Sequence, residues 1–264
     1  MAGRTSLVVL LVACAASARA TGALEVTATA TVAEQTALAV EVRNAGDGAV
    51  SDVAPVVIYQ GQEVHADPRA ELAPGARATW SVALPHPAEP GSVPAVVDVH
   101  YADAAGRHSI PAVATVSTPG LLPVPEVRAT LTSTPVTGYA RADLLLDNPT
   151  SSAIHGRVIV LLPAGLSTEP TSQAAEVPAG GRRAVPLVLQ NDGAAPAAGV
   201  PVVALFEYGV AGRRHLAIAA ATVPIVGGGP AVPPLVVGTS ALAVAVVLCG
   251  LAWWRAAAKR HHAA

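Results

Sequence analysis

Few residues of this chain have the chemistry to act on a ligand. His100 and His108 flank the turn signal from Asp103 to Gly106. A hairpin there puts them on neighbouring strands, a spacing that two imidazole ligands of a divalent ion can use. Strand alternation turns His100 toward solvent, so a hydrated surface histidine is the simpler reading, and the pair is kept as a weak metal candidate. Asp47 and Asp52 lack the dense one-three-five spacing of a calcium loop. Nothing matches a nucleophile elbow, an H-E-x-x-H helix, a phosphate loop or a dinucleotide fingerprint. The two cysteines, Cys14 and Cys249, lie near the two ends, so the long stretch between them offers no thiolate. The expectation is a non-enzymatic chain with no catalytic residues and no cofactor.

The ends predict a place. Arg4 precedes the apolar run from Leu7 to Val12, and small residues close on Ala18-Arg19-Ala20, which is the order of a secretory signal over residues 1–20. Cleavage after Ala20 leaves a chain starting at Thr21. The same stretch has a second reading, because Leu11-Val12-Ala13-Cys14 resembles a bacterial lipobox in which Cys14 is acylated. Near the other end, residues 235–254 carry no charge. As a helix that run spans about 30 Å, the thickness of a bilayer core. Trp253 and Trp254 close it, and Arg255, Lys259 and Arg260 follow, which by the positive-inside rule puts residues 255–264 in the cytoplasm. The bulk of the protein is then extracytoplasmic, in the periplasm or at the cell surface, with the lipid bilayer as its first partner.

What lies between must fold without disulfides. The 264 residues are 52% hydrophobic but only 3% aromatic and 13% charged, with Gly 23 and Pro 23. Such a chain builds its core from Val, Leu and Ala, and its punctuation suits many short strands rather than long helices. Leu24, Val26, Ala28 and Ala30 alternate with Glu25, Thr27 and Thr29, and Trp80, Val82 and Leu84 share one face of a later run.

An internal repeat organises this region. Residues 37–44 match 141–148 at a shift of 104, residues 71–75 match 176–180 at 105, and Pro94 to Tyr101 match Pro201 to Tyr208 at 107, which also sets His108 on His215. The predicted architecture is all-β: two tandem Ig-like β-sandwiches, residues 24–118 and 124–226, plus one C-terminal transmembrane α-helix. Residues 119–123 and the Gly/Pro-rich residues 227–234 act as linkers. The first copy has a net charge of −7 and the second is neutral. Arg182-Arg183 and Arg213-Arg214 stand at predicted strand starts, suited to a patch for anionic glycan or lipid headgroups or to blunting sheet edges. An outward location with this charge excludes nucleic acid as a partner.

The run Val40-Glu41-Val42-Arg43-Asn44-Ala45-Gly46-Asp47-Gly48-Ala49-Val50-Ser51-Asp52-Val53, followed by Leu72-Ala73-Pro74-Gly75 and a strand carrying Trp80, resembles the bacterial Ig-like domains of the CARDB (cell adhesion related domain of bacteria) type. The resemblance extends to both copies, although Asn148-Pro149-Thr150-Ser151-Ser152 lacks the glycines of the first turn. It implies a surface module that binds, adheres or spaces, facing another envelope protein or a surface glycan, and it brings no catalytic residues. The order of signal, Ig-like region, single span and basic tail is also similar to the translocon-associated beta subunit of eukaryotes. Besides a stalk with the acidic copy outermost, two further functions fit this order: an accessory subunit of a membrane transport or assembly complex, and an exported metal- or carbohydrate-binding protein.

Overall fold

A computed structural model describes residues 24–33, 35–88, 90–118, 127–194 and 197–226, with the side chain of Ala198 excepted. Among these residues the regular structure is all strand. The first copy contains β1 (Leu24–Val32), β2 (Thr36–Asn44), β3 (Val50–Tyr59), β4 (Gln62–His65), β5 (Arg69–Leu72), β6 (Arg77–Leu84), β7 (Ser92–Asp103) and β8 (Gly106–Ser117). The second contains β9 (Arg128–Ser133), β10 (Tyr139–Asp147), β11 (Ile154–Leu161), β12 (Leu166–Thr168), β13 (Ser172–Val177), β14 (Arg182–Asn191), β15 (Ala197–Val210) and β16 (Arg213–Ile225).

Each copy forms two antiparallel sheets around its own core. In the first, β1-β2-β6 faces β4-β3-β7-β8, with β5 also paired to β3. In the second, β9-β10-β14-β12 faces β13-β11-β15-β16. Period-two alternation selects the inner side chains: Leu38, Val40 and Val42 of β2 meet Val53, Val57, Val97 and Val99 from the facing sheet. Leu144, Leu146 and Leu189 meet Val158, Val202 and Phe206 in the second core. Fully burying one such Val, Leu or Phe contributes roughly 1.5–3 kcal/mol, so two cores of this kind hold without a disulfide.

The repeat is visible in the hydrogen bonds as well as in the strands. Asn44, at the end of β2, is fully buried. Its Nδ2 donates to Gly48 O at 2.8 Å and Leu72 O at 2.9 Å, and its Oδ1 accepts the Gly46 N–H at 3.0 Å. Asn148, at the matching place after β10, is equally buried. It donates to Ser152 O at 2.8 Å and Pro178 O at 3.0 Å, and accepts the Thr150 N–H at 3.0 Å. One amide thus ties the turn after the strand to the turn before β6 or β14. Gly48 of the first copy is dispensable for this turn, since it has no positive φ and a Cβ there would meet nothing within 4 Å.

The copies differ in one strand. β4 forms a hairpin with β3 through Gln60-Gly61, both at positive φ. β12 instead crosses to the other sheet and pairs β14 at Asn191, Gln190 and Leu189.

An end-to-end stalk, expected from the sequence, is not what forms; the copies lie side by side. The outward face of β7 and β8 packs on the outward face of β15 and β16. There Val113, Val203, Leu205 and Leu216 make a third buried apolar cluster, with Val96, Ile159, Leu161 and Ile218 against it. Hydrogen bonds reach across the seam at separate places, among them Arg214 N–H to Pro90 O at 3.1 Å and Ala164 N–H to Ser109 Oγ at 3.0 Å. Gly91 pairs directly with Arg214. The physical reason is the strand composition: burying these aliphatic side chains outweighs leaving them in water.

Two predictions test these contacts. Asn44→Ala and Asn148→Ala each strand buried carbonyls and should each lower unfolding free energy by about 2–4 kcal/mol in urea titration, with the two effects equal within error. Gly91 sits at φ +130 and a Cβ there would run into the backbone of Arg214. Gly91→Ala should therefore split a single calorimetric transition into two as the seam opens.

Candidate functional site

The β7–β8 hairpin carries the densest group of titratable side chains. Its register pairs His100 with Ser109 and Tyr101 with His108. Paired residues share a face and successive residues alternate, so His100 and His108 stand on opposite faces of the sheet. The sequence places them on neighbouring strands correctly but not on one side, and they form no common ligand pair. No group of three or more His, Cys, Asp or Glu able to hold a metal ion occurs among the described residues.

Each histidine has its own carboxylate. On the inner face the His108 ring lies against Tyr101, centroids 5.1 Å apart, and its Nε2 is 2.8 Å from Asp103 Oδ1. That oxygen also accepts the N–H groups of Ala105 at 2.8 Å and Gly106 at 3.2 Å, which closes the turn. Burial, with the Asp103 charge beside it, pushes the Tyr101 hydroxyl up to about 12. The ring pair recurs in the second copy without the carboxylate, Val210 standing where the first copy has Asp103: Tyr208 stacks on His215 at 5.4 Å, and its hydroxyl accepts the Val127 N–H at 3.0 Å.

On the outer face His100 Nε2 lies 3.4 Å from Asp98 Oδ2. Asp98 adjoins the seam, beside the Ser109 hydroxyl that receives Ala164. Burial raises the Asp98 carboxyl above its ordinary range, with the His100 charge and the Ser109 hydroxyl pulling the other way. No bond of proper geometry reaches Oδ1, which is buried without a partner. This carboxylate was not legible from sequence, because only the packing of the second copy over β7 and β8 takes it out of water.

The paired arginines are divided between sheets. Arg182 opens β14 and engages Asp147 at 3.3 Å, whereas Arg213 and Arg214 open β16 in the facing sheet. Arg157 engages Glu207 at 3.2 Å across β11 and β15. Cys14, Ala18, Ala20, Trp253, Trp254, Arg255, Lys259 and Arg260 lie outside the described residues. No helix among the described residues is long and apolar enough to cross a membrane.

No family model matches the chain, and no curated protein matches it. Among solved structures it is similar to a transglutaminase of red sea bream, with 13% identity over 77% of this chain and 31% of that one at a TM-score of 0.28. It is similar to the alpha-2-macroglobulin of E. coli, with 13% identity over 76% of this chain and 17% of that one at 0.31. A protein of unknown function from Porphyromonas gingivalis W83 has 11% identity, with 75% of this chain and 99% of that one covered at 0.26. The chain thus spans less than a third of the first two. Likenesses of this size carry no argument about activity or fold family.

The half-buried carboxylate of Asp98 makes a signed prediction. A carboxyl whose folded pKa is raised above its unfolded value weakens the fold above that folded pKa, and the penalty fades as acid protonates it. Asp98→Asn should therefore raise the melting temperature at pH 7, and the gain should vanish as the pH falls toward 4. Thermal melts of both proteins across that range check it.

Proposed function

We propose that the chain is a non-enzymatic envelope protein, anchored in a membrane by residues 235–254, which presents two tandem Ig-like domains of the CARDB type for binding, adhesion or spacing. One observation carries the reading: a charge-free run of bilayer length, closed by Trp253 and Trp254 and followed by Arg255, Lys259 and Arg260, stands behind a long cysteine-free all-strand region. The strand orders β1-β2-β6 and β4-β3-β7-β8, and the repeated Asn44 and Asn148 anchors, support the Ig-like assignment.

In this reading the side-by-side seam gives the exterior a mechanical purpose. Two domains joined only by a linker sample many orientations, whereas two domains sharing a buried cluster hold one. A rigid platform of this kind displays loops at fixed spacing to a partner in the envelope or to a surface glycan. Asp103, Asp47 and the other carboxylates of the −7 first copy favour a partner that is cationic or rich in hydrogen-bond donors.

Membranes from cells making the full chain test the proposal. Alkaline carbonate should leave the protein in the pellet, and protease added from the extracytoplasmic side should remove an epitope inserted before β1 while sparing one fused after Ala264. Release by carbonate, or the reverse pattern of protection, overturns the anchored topology.

A further inference from the structure

We propose that β6 is a docking edge for a second copy of this chain, the two β6 strands pairing antiparallel to join two three-stranded sheets into one of six. The free side of β6 follows from its hydrogen bonds. Arg43 pairs with Arg77, and one step beyond, Asn44 N–H donates to Ala76 O at 3.0 Å. Bonded and non-bonded pairs alternate along an antiparallel ladder. Ala78, Trp80, Val82 and Leu84 therefore bond to β2, and the backbone groups of Arg77, Thr79, Ser81 and Ala83 point away from it. No strand pairs that side among the described residues.

The second copy shows what guarding such an edge requires. β14 occupies the same place, with Ala39 against Ser81 in one copy and Asp143 against Pro186 in the other. At the position of Ser81, β14 thus carries Pro186, which has no N–H to offer, and β12 covers its far end at Leu189, Gln190 and Asn191. β6 has neither device. Its eight residues, RATWSVAL, alternate regularly between exposed and buried, with no proline, no lysine and no inward charge. Its would-be cover, β4, is spent on the other sheet.

Charge selects the occupant. Despite the −7 of the first copy, the outer face of β1-β2-β6 is locally neutral, since Glu25 pairs with Arg43 at 3.0 Å and Glu41 with Arg77 at 2.7 Å. Two-fold pairing about Trp80 sets Thr79 opposite Ser81 and Arg77 opposite Ala83. Pairing about Ser81 sets Thr79 opposite Ala83. In both registers inner faces stay with inner faces and no like charges oppose.

The test uses the purified full chain, with mass measured by sedimentation across a concentration series. Wild type should reach two chains per particle. Ser81→Pro, the residue the second copy already carries at this place, should weaken dimerisation about tenfold or more with unchanged circular dichroism. Thr79→Lys with Ser81→Lys, which opposes like charges in either register, should do the same and covers the case in which the proline variant fails to fold. Amide exchange gives a separate readout: the Thr79, Ser81 and Ala83 amides should be slow at high concentration and fast on dilution. A wild type that stays monomeric, a dimer indifferent to the lysine pair, or amides that exchange alike at all concentrations overturns the proposal.

Discussion

The constraint on which this architecture depends is that four strands are covered on both faces. β7, β8, β15 and β16 give one face to their own cores and the other to the cluster of Val113, Val203, Leu205 and Leu216. A strand at a sheet surface normally alternates apolar with polar, as β6 does. β15 breaks that rule with the continuous apolar run Val200 to Phe206, and its outer members would sit in water if the copies were separate. Removing them from solvent welds the two copies side by side and gives the described residues their layered form, sheet upon sheet.

That weld also explains where the polar anomalies fall. Asp98 is half-hidden because Val96 and Ser109, on the same outer face, are drawn into the seam. Ser109 is buried because its hydroxyl accepts a bond from the second copy. Gly91 is required because backbone meets backbone at Arg214, leaving no room for a side chain. The seam therefore borders a half-buried carboxyl at Asp98 and, seven residues earlier in the chain, an obligate glycine at Gly91, while the histidine–carboxylate pairs on either face of β7 and β8 serve the local turn and strand.

Duplication did not preserve every element. The inner alternation, the buried asparagine and the Tyr–His stack recur in both copies, because each is needed to close a core or a turn. The fourth strand does not recur, since either sheet can accept it. Its choice decides which edge is left open: among the described residues no strand pairs the outer edge of β6 in the first copy, whereas β14 in the second is guarded by Pro186 and β12.

The sequence alone determined the all-strand character, because period-two alternation in Leu24–Val32 and Arg77–Leu84 can bury only one face of a strand, and the turns around Asn44, Pro74 and Asp103 sit where the chain reverses. It also determined the repeat, since Asn44 and Asn148 keep their role through a fixed shift. A warning of the seam was there too, in the unbroken apolar residues of β15 and in Ile218 to Val223 of β16. Only the tertiary structure decided what those residues touch, that the register turns His108 to the face opposite His100, and which sheet receives β4 or β12. Alternation fixes sides only relative to neighbours along one strand, whereas register between strands, and contact between sheets, are settled by the packing of residues far apart in the chain.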